Sequence, residues 1–125
     1  MQTRNLLLDA GYEYDSDTYD DELPYWLKVG SRSQLIVPYS ITHNDVRFAR
    51  QGLTSGDEYL AYIKNAVQCV LEEDPPRMLS FGLHNRIIGH PGRALGLARV
   101  LDWLAAQPRV WLTRRIDIAR HWRQV

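Results

Sequence analysis

A single cysteine, Cys69, stands in 125 residues. No disulfide can form within the chain, and a cytoplasmic location is the simpler expectation. Long apolar runs are missing too. None approaches the roughly 18 residues that a membrane helix requires, which excludes a membrane-spanning helix. The opening residues, MQTRNLLLDAGYEYD, have neither the long apolar centre nor the small-residue cleavage site of a secretory signal. Net charge is absent: 15 basic residues balance 15 acidic ones. With a pI near 6.9 and no recognised motif, nucleic-acid binding is not expected. GHPGRALG does not fit the spacing of a phosphate-binding glycine loop, and no G-x-S-x-G nucleophile elbow occurs. HNRIIGH sets His84 and His90 six apart across a glycine-proline loop, which is not the helical H-x-x-x-H of a zinc site. No metal and no cofactor is therefore expected.

What is present is an ordinary globular composition, 45% hydrophobic and 24% charged, of a length that suits one domain with a real core. Its charge is unevenly spread. Residues 1–30 hold seven acids against Arg4 and Lys28, and residues 84–125 hold eight arginines against Asp102 and Asp117. Either these ends face each other across a cleft, or they are merely solvated faces.

Periodicity supplies the elements. Thr3–Ala10 reads as a short helix closed by Gly11. Tyr12–Tyr14 reads as a brief strand, followed by an acidic loop through Trp26. Gly30–Ser33 reads as a turn, and Gln34–Val37 as a strand ended by Pro38. Ser55-Gly-Asp-Glu58 is a capping box ahead of Leu60, Ile63, Val67, Val70 and Leu71, so a helix runs from Asp57 to about Glu73 and stops at Asp74-Pro-Pro. Met78–Leu83 reads as a buried strand. Arg93–Ala106 is a second helix with Leu95, Ala98, Leu101 and Leu104 on its apolar face. Val110–Leu112 reads as a strand, and Ile116–Trp122 as a terminal helix. Alternating strands and helices point to an α/β fold with parallel strands and crossover helices.

Polar clusters follow the strands. They are Asp15 and Asp17; Asn44, Asp45 and Arg47; His84, Arg86 and Arg93; and Arg114 and Arg115. Separate loops placing ionisable groups on one sheet edge make a site argument. His84 is suited to act as a general acid, with Asp15 or Asp17 setting its charge. Arginines such as Arg86, Arg93 and Arg114 suit a carboxylate or a planar imide-like group. Trp26 would form a wall. Asn44 and His43 have a plainer reading, as a turn residue and a surface residue.

The segment SFGLHNRIIGHPGRALGLARVLDWLA…VWLTRRIDIARHW resembles the C-terminal part of polysaccharide-deacetylase-type (NodB-homology) hydrolases. Within them it is most similar to the cofactor-independent allantoinase and chitin-deacetylase-like branch. YDSDTYDDELPYW and IVPYSITHNDVRF match two further blocks in the same order. The resemblance implies the C-terminal half of a deformed (β/α) barrel, with residues 1–125 forming a single partial domain that lacks its N-terminal half. It implies hydrolysis of a carbon–nitrogen bond in an amide or an N-acetylated sugar. It implies that His84 is the catalytic acid and Asp15 the catalytic carboxylate that orients the site. Asn44, Asp45, Arg47, Arg86 and Arg93 would fall in the substrate pocket, while this branch often carries arginine where His90 stands. A half-domain further implies self-association or a companion N-terminal half. The alternative is an inactive, partner-binding remnant using Tyr25, Trp26, Trp111 and Trp122.

Overall fold

A computed structural model describes residues 2–50, 52–73 and 75–125; Asp74, expected at a helix end, lies outside the described residues. The elements in chain order are α1 (Thr3–Asp9), β1 (Tyr25–Val29), β2 (Arg32–Ile36), α2 (Arg47–Arg50), α3 (Gly56–Glu72), α4 (Asn85–Ile88), α5 (Pro91–Ala105) and α6 (Arg115–Trp122). They divide into two compact units. One combines Met1–Tyr39 with Thr113–Val125, and the other is Ser40–Leu112. Among the described residues no helix is long and apolar enough to cross a membrane.

In the first unit, α1 ends where expected, with Gly11 at a φ of 76° as its left-handed closing residue. β1 and β2 form an antiparallel hairpin in which Val29 pairs with Arg32. Gly30, at a φ of 63°, makes the two-residue turn. β1 is absent from the periodicity reading because its five residues are half-buried in simple alternation behind a dense acidic loop. The Gly-Ser pair after Val29 is the signal that would have found it. The expected strand at Tyr12–Tyr14 reduces to a bridge, in which Asp15 pairs with Ile36 in parallel. Leu35, Ile36 and Val37 are fully buried, and Ala119 of α6 joins them in the interior.

The oppositely charged terminal segments do meet. Arg120 pairs with Glu13 at 2.9 Å, and Arg123 donates to the Glu13 carbonyl. A second tie is partly buried: Nη2 of Arg115 donates to the carbonyls of both Val37 and Pro38 at 2.5 Å.

The second unit is helical. The capping box forms as read: Ser55 accepts from the Glu58 amide, and the Glu58 carboxylate accepts from the Ser55 amide. Tyr59, Ile63 and Val67 of α3 pack with Phe48, Ile88, Val100 and Leu104. α3 and α5 cross at Gly56 and Gly96, where backbone meets backbone.

That crossing corrects the expected face of α5. Gly96, Val100 and Leu104 are buried, whereas Leu95 and Leu101 are 54% and 42% exposed. The closest approach selects the smallest residue, so the seam is centred on a glycine and not on the leucines.

A second correction concerns strands. The described residues contain one sheet, a two-stranded antiparallel hairpin, and not the expected set of mostly parallel strands. Met78–Leu83 and Val110–Leu112 enter no ladder. Leu79, Phe81 and Val110 instead pack on the helical core. An apolar run supplies side chains for burial but not the neighbouring backbone that makes it a strand.

Candidate functional site

The site is built where two loops of the second unit meet. After Tyr39 the chain turns: the Asn44 amide donates to the Ile41 carbonyl, and the Asn44 side chain accepts from the Val46 amide at 2.9 Å. This Asx turn leads into the short α2. Asp45 sits at its start, with its amide bonded to the Gly82 carbonyl at 2.9 Å and the residue 0% exposed.

Gly82 lies two residues before His84. Both carboxylate oxygens of Asp45 go to that histidine. Oδ2 accepts from the His84 amide at 2.7 Å, and Oδ1 lies 2.6 Å from Nδ1. The His84 carbonyl starts α4 by accepting from the amides of Ile87 and Ile88. The buried carboxylate thus holds both the main chain and the ring, and the helical turn holds the main chain a second time. A carboxylate can only accept, so Nδ1 carries the proton and Nε2 is left for an outside partner. The His84 side chain is 44% exposed, which gives that partner access.

Around this pair, Arg47 donates to the Tyr62 hydroxyl at 2.7 Å and lies over the Tyr62 ring. The same hydroxyl donates to the Thr42 carbonyl at 3.0 Å. His43, expected at the surface, is buried between the rings of Tyr62 and Phe81. Burial first, and the Arg47 charge second, hold its pKa below the ordinary 6.5. Tyr59 is pushed up to about 12 by burial and by the charge of Asp45. Arg86 is exposed on α4. Arg93 donates to the Ile87 carbonyl and lies over the Phe48 ring. With His90, Thr54, Ser55, Gly56 and Gly92 it also lines a cleft of about 440 Å³. Among the described residues no group of three His, Cys, Asp or Glu side chains is arranged to hold a metal ion.

No family model matches. A provisionally named polysaccharide deacetylase of Schizosaccharomyces pombe is 34% identical over 141 aligned residues, covering 98% of this chain and 44% of the relative. The crystal structure of a provisionally assigned polysaccharide deacetylase from Pseudomonas aeruginosa PAO1 is 43% identical, with a TM-score of 0.88 over 98% of this chain and 43% of its own. The chain is a relative of the polysaccharide deacetylases. Puue allantoinase is similar at 43% identity and a TM-score of 0.87, covering 98% of this chain and 43% of that one. A further provisionally assigned polysaccharide deacetylase, from Mycobacterium smegmatis, is 26% identical with a TM-score of 0.84, over 98% of this chain and 45% of its own. The deacetylase-like chain thus has the fold of part of an α/β domain, and it spans less than half the length of the relatives it matches.

Within this deacetylase relative, the carboxylate that meets His84 is Asp45. Asp15 lies in the first unit, where its carboxylate accepts from Arg4 at 3.1 Å and from the Asp17 amide at 2.8 Å. Trp26 is also in the first unit, 48% exposed on β1 beside the Arg123 guanidinium. Tyr62 was not singled out by sequence reasoning. It sits at helical spacing in an apolar stretch, and nothing local marks its hydroxyl as the tie to a loop 15 to 20 residues away.

Proposed function

We propose that this chain supplies the general-acid and substrate-binding side of a hydrolase acting on carbon–nitrogen bonds, in the C-terminal part of a deformed (β/α) barrel. The substrate class is an N-acetylated sugar or a cyclic amide of the allantoin kind. One observation carries the reading: a fully buried Asp45 spends both oxygens on a half-exposed His84. Holding an imidazole by Nδ1 while Nε2 faces outward is the arrangement that proton transfer to a substrate requires.

In amide hydrolysis, water adds to the carbonyl carbon and the C–N bond then breaks. The departing nitrogen must gain a proton or it returns. Nε2 of His84 first takes up a proton from solvent and then gives it to that nitrogen, while the proton lost by the attacking water leaves with the group that activates it. His84 is left as the neutral Nδ1–H form that Asp45 already holds. Asn44, Arg47, Arg86 and Arg93 provide donors for the oxygens of a polar substrate. Activation of the water is assigned to groups outside the chain's match to its relatives.

The test is a chimera in which this chain replaces the matched part of the Pseudomonas relative. It should hydrolyse allantoin or an N-acetylated sugar. His84→Asn or Asp45→Asn should cut the rate by about 10² to 10⁴. A folded chimera that is inactive on every amide the parent cleaves would refute the proposal.

A further inference from the structure

The geometry points to Tyr62 as a positioning residue for the Asp45–His84 pair, acting through the loop that carries Asp45. One hydroxyl on α3 bonds both ends of that loop. It donates to the Thr42 carbonyl at 3.0 Å and accepts from Arg47 Nη1 at 2.7 Å, and Asp45 stands between those two residues. The ring adds two contacts. The Arg47 guanidinium lies 4.9 Å from its centroid, and the His43 ring lies 5.8 Å away on the same loop.

The anchor is rigid because α3 is a 17-residue helix with a complete capping box, buried along Tyr59, Ile63 and Val67. Phe48 secures the far end of the segment in the same core, against the Tyr59 ring at 5.3 Å. Among the described residues both Asp45 carboxylate oxygens bond to His84, so the direction of that side chain depends on how firmly the turn is held. A hydrogen bond to a charged donor is among the stronger ones in a protein. Tyr62 is thus the fixed point from which the carboxylate is aimed at Nδ1.

This inference rests on the catalytic reading only for its biological meaning, because its test does not need turnover. The ring nitrogens of His84 are read by ¹⁵N NMR in the purified chain, which reports the tautomer directly. The wild type should show the Nδ1–H form. Tyr62→Phe keeps the ring and removes both hydrogen bonds, so the fraction of Nε2–H tautomer should rise about tenfold. Ser55→Ala removes the cap of the same helix without touching the loop and should leave the tautomer as it was.

An unchanged tautomer in a folded Tyr62→Phe protein would overturn the proposal. So would an equal rise in Ser55→Ala, which would mark general loosening. If Tyr62→Phe does not fold, Arg47→Met opens the same contact from the loop side. The same rise supports the proposal there, and an unchanged tautomer refutes it. Failure of the chimera to hydrolyse amides would strike the functional reading and leave this result standing.

Discussion

Adding one methyl group at Gly96 should show how tightly α3 and α5 are joined. A Cβ there would lie 2.5 Å from the Gly56 carbonyl oxygen and 2.7 Å from its carbon. Non-bonded carbon contacts are comfortable at about 3.5 Å or more, so the helices must separate by about 1 Å. The obstacle is backbone in a capped helix and cannot rotate away. Overpacking of this kind costs about 3 kcal/mol, the upper end of its usual range. Alanine returns about 1 kcal/mol in helix propensity. The net loss is about 2 kcal/mol, which for a chain of this length lowers the melting temperature by about 8 °C. Gly92 provides the internal control. It belongs to the same helix, and a Cβ there meets nothing within 4 Å. Gly92→Ala should therefore hold or raise the melting temperature, by up to about 4 °C. The assay is thermal unfolding followed by circular dichroism, both variants beside the wild type. If Gly96→Ala melts at or above the wild type, the close approach is not a constraint and the reasoning fails.

Other perturbations test other parts. His43 binds a proton less readily in the fold than in the unfolded chain. Its contribution to stability is therefore full above about pH 6.5 and is lost as the pH falls through that value toward the lower folded one. His43→Phe keeps the ring packing, so the difference between urea midpoints at about pH 5 and about pH 8 should shrink; an unchanged difference would exclude His43 as its source. Ser55→Ala should cost about 1 kcal/mol and reduce helicity, measured by urea titration and circular dichroism. Arg115→Met removes the donor to the Val37 and Pro38 carbonyls and the bond to Ser16. It should cost about 2 kcal/mol in urea unfolding, and a neutral result would mean that water replaces the guanidinium.

The candidate site was legible residue by residue more than as a pair. His84 and Asp45 both stand out in sequence as polar groups after apolar runs. Their partnership does not, because 39 positions separate them. Sequence offers Asp15 or Asp17, as carboxylates at a strand end, for the histidine's partner; in the structure Asp15 pairs with Arg4 at 3.1 Å. Family resemblance located the blocks and left the contact between them open.

By itself the sequence determined the local features. The capping box at Ser55, the left-handed Gly11 and the helix that begins at about Asp57 all follow from neighbours within a turn or two. Interactions of that range are written in residue order, so order predicts them. Tertiary structure decided which side of α5 is buried, whether Met78–Leu83 becomes a strand, and which carboxylate meets His84. Each of those depends on what another stretch of chain brings to the same place: a glycine backbone at Gly56, a ladder neighbour that does not arrive, and a turn that delivers Asp45. A side chain's chemistry is local, but its partner is set by packing at a distance.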